Sequence, residues 1–411
     1  MPDTQKDRVK GADARATIHQ VKAPVQAAPS GRDSRIDVLR GVALLTIFIN
    51  HVPGTVFENF TTRNFGFSDA AEAFVMISGI SAALAYSGGF AHAPLWSAAA
   101  KIWRRAWTLY LVHLMLCFWA IAIVFATWRF GGSMKLVLRD NFQFLLSDPY
   151  GVLIGLPTLG HQFGYVNILP LYTMLLLATP AIVLSARRWP GLTLAGSVAL
   201  WCLAGLERFN IPAYPLKGGW FFNPFSWQLL FVFGILIGLS LKQGRGFVPL
   251  RRSLIIAAWG FLVFSLVWLK WAALGSAINE ALGWASVHGV PWLFVAFDKT
   301  YVSLPRLLHI VALAYALSAL PWLRAFCDRP VMAPLAVLGR QALPVFALGT
   351  ILSFAARAVK EIAVVPSATL DTVLIVAGTV MMVALAAALD QKRATRIASA
   401  PYGHRAVPAG A

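Results

Sequence analysis

His51 is the residue whose type and surroundings point most directly to chemistry. It closes the apolar run RIDVLRGVALLTIFINH over residues 35–51, and an ionisable side chain within such a run is costly enough to imply function. Asp69 and Glu72 open the next apolar run, three apart and therefore on one helical face. A carboxylate beside an imidazole fixes its tautomer and stabilises its protonated form, which makes the pair a general base. Glu72, one turn deeper, is the stronger partner for His51. Asp69 also fits a helix N-cap, where negative charge is favourable.

Two other groups could serve the same site. Pro305-Arg306-Leu307-Leu308-His309 opens a later apolar run with a guanidinium and an imidazole three apart. Arg306 suits bidentate clamping of a substrate carboxylate, with snorkelling to the interface as the alternative. In KIWRRAW, Lys101, Arg104 and Arg105 offer positive charge for an anionic donor, or an ordinary cytoplasmic anchor. His113 follows on the same run and could line a donor channel. Asp37 and Arg40 have the spacing of a local ion pair. Arg40 and His51 share a helical stripe, but a rise of ~1.5 Å per residue keeps them roughly 16 Å apart.

The elements that hold these residues must sit in a bilayer. The chain has 411 residues, of which 58% are hydrophobic and 13% charged, and its mean hydropathy is +0.67. Ten apolar stretches recur near the ~20 residues needed to cross the hydrocarbon, at 35–57, 69–88, 102–128, 165–186, 191–208, 223–241, 252–274, 304–323, 341–359 and 370–389. They predict an all-α integral membrane protein of about ten transmembrane helices, since a helix satisfies its own backbone in lipid. The third stretch is the longest and is expected to be tilted or broken. Residues 129–164 and 275–303 are too long for hairpin loops and too apolar for solvated linkers, and are expected to be partly ordered, interfacial or re-entrant.

The domain reading is a disordered, uncleaved basic tail over 1–33, a transmembrane domain over 34–390 and a second tail over 391–411. Basic residues crowd the N-terminal tail, Lys101 to Arg105, Arg187 and Arg188, Lys242 to Arg252, Arg324 to Arg340, and Lys392 to Arg405. These segments share one side of the ten-span topology, so both termini are predicted to be cytoplasmic. His51 then lies toward the outer face. The net charge of +18 is accounted for by anionic lipid headgroups, without nucleic acid. The three cysteines suggest neither a disulfide framework nor a metal site. No phosphate-binding glycine loop or zinc helix occurs, and no metal is expected.

The segment RIDVLRGVALLTIFINHVPG, followed by FGFSDAAEAFVMISGISAALAY, resembles the OpgC family of membrane-bound succinyltransferases acting on osmoregulated periplasmic glucans. Its Arg, Arg-Gly and His pattern is also similar to the first helix of the wider acyltransferase-3 superfamily. The resemblance extends through PRLLH at 305–309 and LGRQALPVFALGT at 338–350. It implies a multi-pass enzyme of the bacterial inner membrane, with its active cavity toward the periplasm. The donor is expected to be succinyl-CoA or another acyl-CoA, with no permanently bound cofactor. The acceptor is a periplasmic glucan, His51 is the base, and Arg40, Lys101, Arg104, Arg105 and His113 serve the donor. This chain lacks the usual Arg-x-x-Arg spacing and offers Lys101-x-x-Arg104 and Arg104-Arg105 instead. Trp220, Trp284 and Trp292 are the tryptophans expected to touch carbohydrate. A homo-oligomer is compatible with all of this. The alternatives are an O-acetyltransferase acting on another envelope glycan, and a transporter that moves a polar solute past the same buried charges.

Overall fold

The computed structural model describes residues 33–363 and 367–398. Each of the ten apolar runs overlaps a helix, the first overshooting its helix by seven residues because the chain turns at His51, and there is no β-strand among the described residues. We number these helices α1 (Ser34–Asn50), α2 (Ala70–Tyr86), α3 (Leu95–Gly131), α4 (Ile168–Arg188), α5 (Pro190–Leu206), α6 (Pro224–Lys242), α7 (Arg252–Lys270), α8 (Leu304–Ser318), α9 (Ala342–Ile362) and α10 (Ala368–Ala398). Six of them, α3, α4, α6, α7, α9 and α10, are long and apolar enough to cross a bilayer. Three of the others, α1, α2 and α5, have 17 residues each. The fourth, α8, has 15 and bends by 81° into a short helix, Pro321–Cys327.

Local chemistry sets the helix ends. Asp33 caps α1 by accepting the Arg35 N–H at 3.1 Å, and the helix stops at His51 before Pro53 and Gly54, whose φ of 82° suits only glycine. Of the two expectations for α3, tilted or broken, the break is excluded: it is one continuous helix of 37 residues capped by Gly132, about 55 Å at ~1.5 Å per residue. That exceeds the ~30 Å hydrocarbon, so the helix must tilt or project. The long connections are ordered, with helices at Phe144–Ser147, Pro149–Gly155, Ala272–Val287 and Trp292–Val295. The expected tail over 1–33 lies outside the described residues except for Asp33, whereas α10 runs on to Ala398, into the segment expected as the second tail.

Close backbone approach holds the centre of the bundle. A Cβ on Gly234 of α6 would meet the Met76 carbonyl of α2, and one on Gly79 of α2 would meet the Phe231 carbonyl of α6. Apolar helices gain no hydrophobic drive against lipid, so small residues that allow such contact supply the packing. Helix α1 lies against α2, α9 and the short helix Ala333–Arg340, and α3 against α4 and α9. Phe48, Trp227, Phe231, Ile102 and Leu109 are fully enclosed in the resulting core.

The alternation of α1, α2 and α3 separates two polar ends. Asp37 and Arg40 lie near Ser81 and Gly339 at one end, where Arg187 donates to the Ser87 carbonyl at 3.2 Å and Lys242 to the Ser87 hydroxyl at 3.2 Å. His51 and Asp69 stand at the other. Replacing Gly234 with leucine should abolish the α2–α6 crossing, because overpacking by even a few methylenes costs ~1–3 kcal/mol. The expected result is loss of the monodisperse peak in detergent size-exclusion chromatography; an unchanged peak and unfolding midpoint would contradict this packing.

Candidate active site

A cavity of about 730 Å³ opens at the His51 end. Its wall includes Asn50 and His51 from the end of α1, Asp69 to Ala71 from the start of α2, Asp140 and Asn141, Gln162, Gly164, Tyr165, Asn167 and Ile168, Trp220 to Phe222, and Lys299 to Tyr301. The His51 ring meets the edge of Tyr165 at 4.5 Å. Tyr165 also packs against Arg357 of α9, whose guanidinium lies 4.6 Å from the ring centre and pairs with Asp140 at 2.5 Å. Tyr165, Asp140 and Asn141 have φ of 69°, 55° and 72°. Left-handed backbone is costly for tyrosine, and its concentration in the wall of one cavity is a mark of a functional site.

The α2 N-terminus supplies the acids. The Ala71 N–H donates to Asp69 at 2.8 Å, and the Asp69 N–H donates to Glu72 at 3.0 Å, a capping box that fixes both carboxylates. Asp69 faces the cavity and pairs with Lys299. Glu72 is completely buried and is not in the wall. Arg306 of α8 donates from Nε to Glu72 at 2.8 Å and lies 3.5 Å from Asp69. Two cations and two carboxylates thus alternate in one network.

The question of kinship is decided by a family match: the OpgC protein family matches residues 32–394 of the chain. The chain belongs to the OpgC family. Comparison with curated proteins and with solved structures returns no match.

Within this OpgC protein, His51 and Asp69 share the cavity, while Glu72, the stronger partner on spacing alone, is turned to Arg306. No hydrogen bond joins the His51 ring to either carboxylate among the described residues; Asp69, Lys299 and Arg357 are the charges whose fields reach it. Arg306, expected to clamp a substrate carboxylate, is outside the wall because Glu72 and Asp69 hold it. His309 shares a hydrogen bond of 2.7 Å with the Ser68 hydroxyl, and a Cβ on Gly66 would strike its ring. It locks the approach to α2 and does not reach the cavity wall.

At the opposite end, Arg40 and Asp37 pair at 3.9 Å, and Arg40 also donates to the Gly339 carbonyl at 3.2 Å. Lys101, Arg104 and Arg105 are exposed on α3. His113 is buried against the Cys117 thiol, 3.6 Å away, and lines no part of the cavity. His161 is enclosed between Phe144 and Phe163, and this burial pushes its pKa down to about 4. Of the three tryptophans, Trp220 is in the wall; Trp284 is exposed and Trp292 is not a wall residue.

The spacing rules missed Lys299, Tyr165, Arg63, Asp140 and Arg357. Arg63 lines the cavity and pairs with Glu58, which also accepts the Thr55 N–H at 3.3 Å and so shapes the turn after His51. Arg357 had a usable signal, since it interrupts an otherwise apolar run. Truncating Arg306 to methionine should destabilise the protein by about 3–5 kcal/mol, because Glu72 would remain buried without its cation. Adding Glu72→Gln should restore much of the loss; thermal unfolding of both variants in detergent checks this, and a harmless single variant would contradict the network.

Proposed function

We propose that this OpgC protein is a membrane-bound O-acyltransferase that moves a succinyl group from succinyl-CoA to a hydroxyl of a periplasmic glucan. Family membership supports an acyltransferase acting on a glucan, and the observation that carries the site is His51 in the wall of a polar cavity large enough for a sugar and an acyl thioester. His51 takes the proton of the sugar hydroxyl as its oxygen bonds to the thioester carbonyl carbon. The tetrahedral adduct then collapses, the carbon–sulfur bond breaks, and the imidazolium returns its proton to the leaving thiolate. Asp69 stabilises the imidazolium through the field of the cavity, a weaker form of the support a hydrogen-bonded acid gives. The amides of Asn50, Asn141 and Asn167 in the wall are donors suited to the developing oxyanion.

In this reading both termini are cytoplasmic, the cavity faces the periplasm of an inner membrane, and the donor's phosphates stay at the end where Lys101, Arg104 and Arg105 are exposed. Arg40 supports that end structurally through its bonds to α2 and Gly339. The pantetheine arm must then thread the bundle toward His51.

The test is glucan acylation by purified protein in nanodiscs, with thiol release from acyl-CoA as a second readout. His51→Ala should lower turnover by about 10²-fold or more, the range of a lost general base, with its elution profile unchanged; activity near that of the parent would defeat the proposal. The double variant Arg104→Ala, Arg105→Ala should raise the donor KM by roughly tenfold, as loss of charge-assisted hydrogen bonds does. An unaltered KM would leave those residues as membrane anchors.

A further inference from the structure

Among the described residues, two cations line the cavity, Arg63 and Lys299. Arg63 is 45% exposed and pairs with Glu58 in the turn after α1. Lys299 lines the same cavity and pairs there with Asp69, and its charge acts on the His51 ring. Its backbone is fixed, for the Trp227 indole donates to its carbonyl at 2.9 Å, and the Trp201 indole donates to the Tyr301 and Val302 carbonyls at 3.0 Å. Val302, with φ of 48°, completes this constrained loop. The ammonium itself lies 5.7 Å from the centre of the Phe222 ring, at the end of a flexible four-carbon stem, so it can change partner while the loop stays still.

We propose that Lys299 determines acyl-group specificity by pairing with a carboxylate at the far end of the transferred acyl chain. The inference rests on the acyl-transfer reading above. In a succinyl thioester the free carboxylate stands three carbon–carbon bonds from the reacting carbonyl, at most about 4.5 Å at ~1.5 Å per bond. A carbonyl brought to His51 therefore delivers that carboxylate into the same cavity, where an unpaired charge is strongly disfavoured. Arg306 is committed to Glu72 and Arg357 to Asp140, and neither is in the wall. Lys299 is bound to Asp69, a carboxylate of the kind the substrate would bring. On donor binding the ammonium bridges the two acids, while Asp69 keeps Arg306 at 3.5 Å. An acyl chain without a distal carboxylate gains nothing from this group.

The experiment compares kcat/KM for succinyl-CoA and acetyl-CoA with the full chain, Lys299→Gln and Lys299→Arg. Lys299→Gln should lower the succinyl-to-acetyl ratio by about tenfold or more, equivalent to ~1.4 kcal/mol, and Lys299→Arg should hold it near the parent value. An equal loss with both donors would overturn the proposal and leave Lys299 as a partner of Asp69 alone. A second measurement needs no variant: the parent protein, given succinyl-CoA and butyryl-CoA in competition, should favour succinyl by about tenfold or more on the same scale. Equal use of the two would overturn the specificity role while the acyl-transfer reading stands. No transfer from any of these donors would overturn both.

Discussion

The buried carboxylate of Glu72 is the constraint around which the site is arranged. A carboxylate with no solvent exposure requires a cation with good geometry, since desolvation otherwise exceeds any gain. Arg306 meets that requirement from α8, which ties the bent helix to the start of α2. Because the capping box places Asp69 one turn above Glu72, Asp69 is brought to the cavity with its own cation, Lys299. The network positions the wall residue Asp69 opposite the end of α1, and His51 arrives there because Pro53 and Gly54 stop the helix. Contact with the cavity and pairing beneath its wall are thus divided between two acids three residues apart.

Much of this was legible in the chain. Apolar runs of near-spanning length located ten of the helices, six of them long and apolar enough to cross a bilayer, because lipid permits few other structures for such segments; the 16-residue helix Ala272–Val287 escaped them. The nearness of His51 to the α2 N-terminus followed from the order of the first two runs. Which acid would face the imidazole did not. Spacing favoured Glu72 as the deeper residue, but depth is also what demands a buried partner, and the partner came from Arg306, far away in sequence. Local spacing cannot register a pairing across 234 residues.

The remaining wall escaped for a related reason. Asp140 and Asn141 reach the cavity through left-handed backbone in a connection with no periodic pattern, and Tyr165, assigned to the start of the fourth apolar run, belongs to that connection because α4 begins only at Ile168; such conformations leave little trace in composition. Lys299 sits in Asp-Lys-Thr-Tyr, a short polar island before α8, which was readable as an interruption but not as a cavity wall. The length of α3 and the run of α10 to Ala398 show the opposite error: polar residues near helix ends suggested boundaries where the backbone continues.

The central claim is that acyl transfer takes place at His51. A structure of the protein with a bound acyl-CoA analogue whose thioester sulfur is replaced by a methylene tests it most directly. The expected result places the acyl carbonyl carbon in the cavity beside the His51 ring, leaving room for a sugar oxygen at roughly 3–3.5 Å from the carbonyl carbon. A carbonyl bound among the basic residues at the opposite end, or a His51 ring walled off from it by Tyr165, would contradict the account.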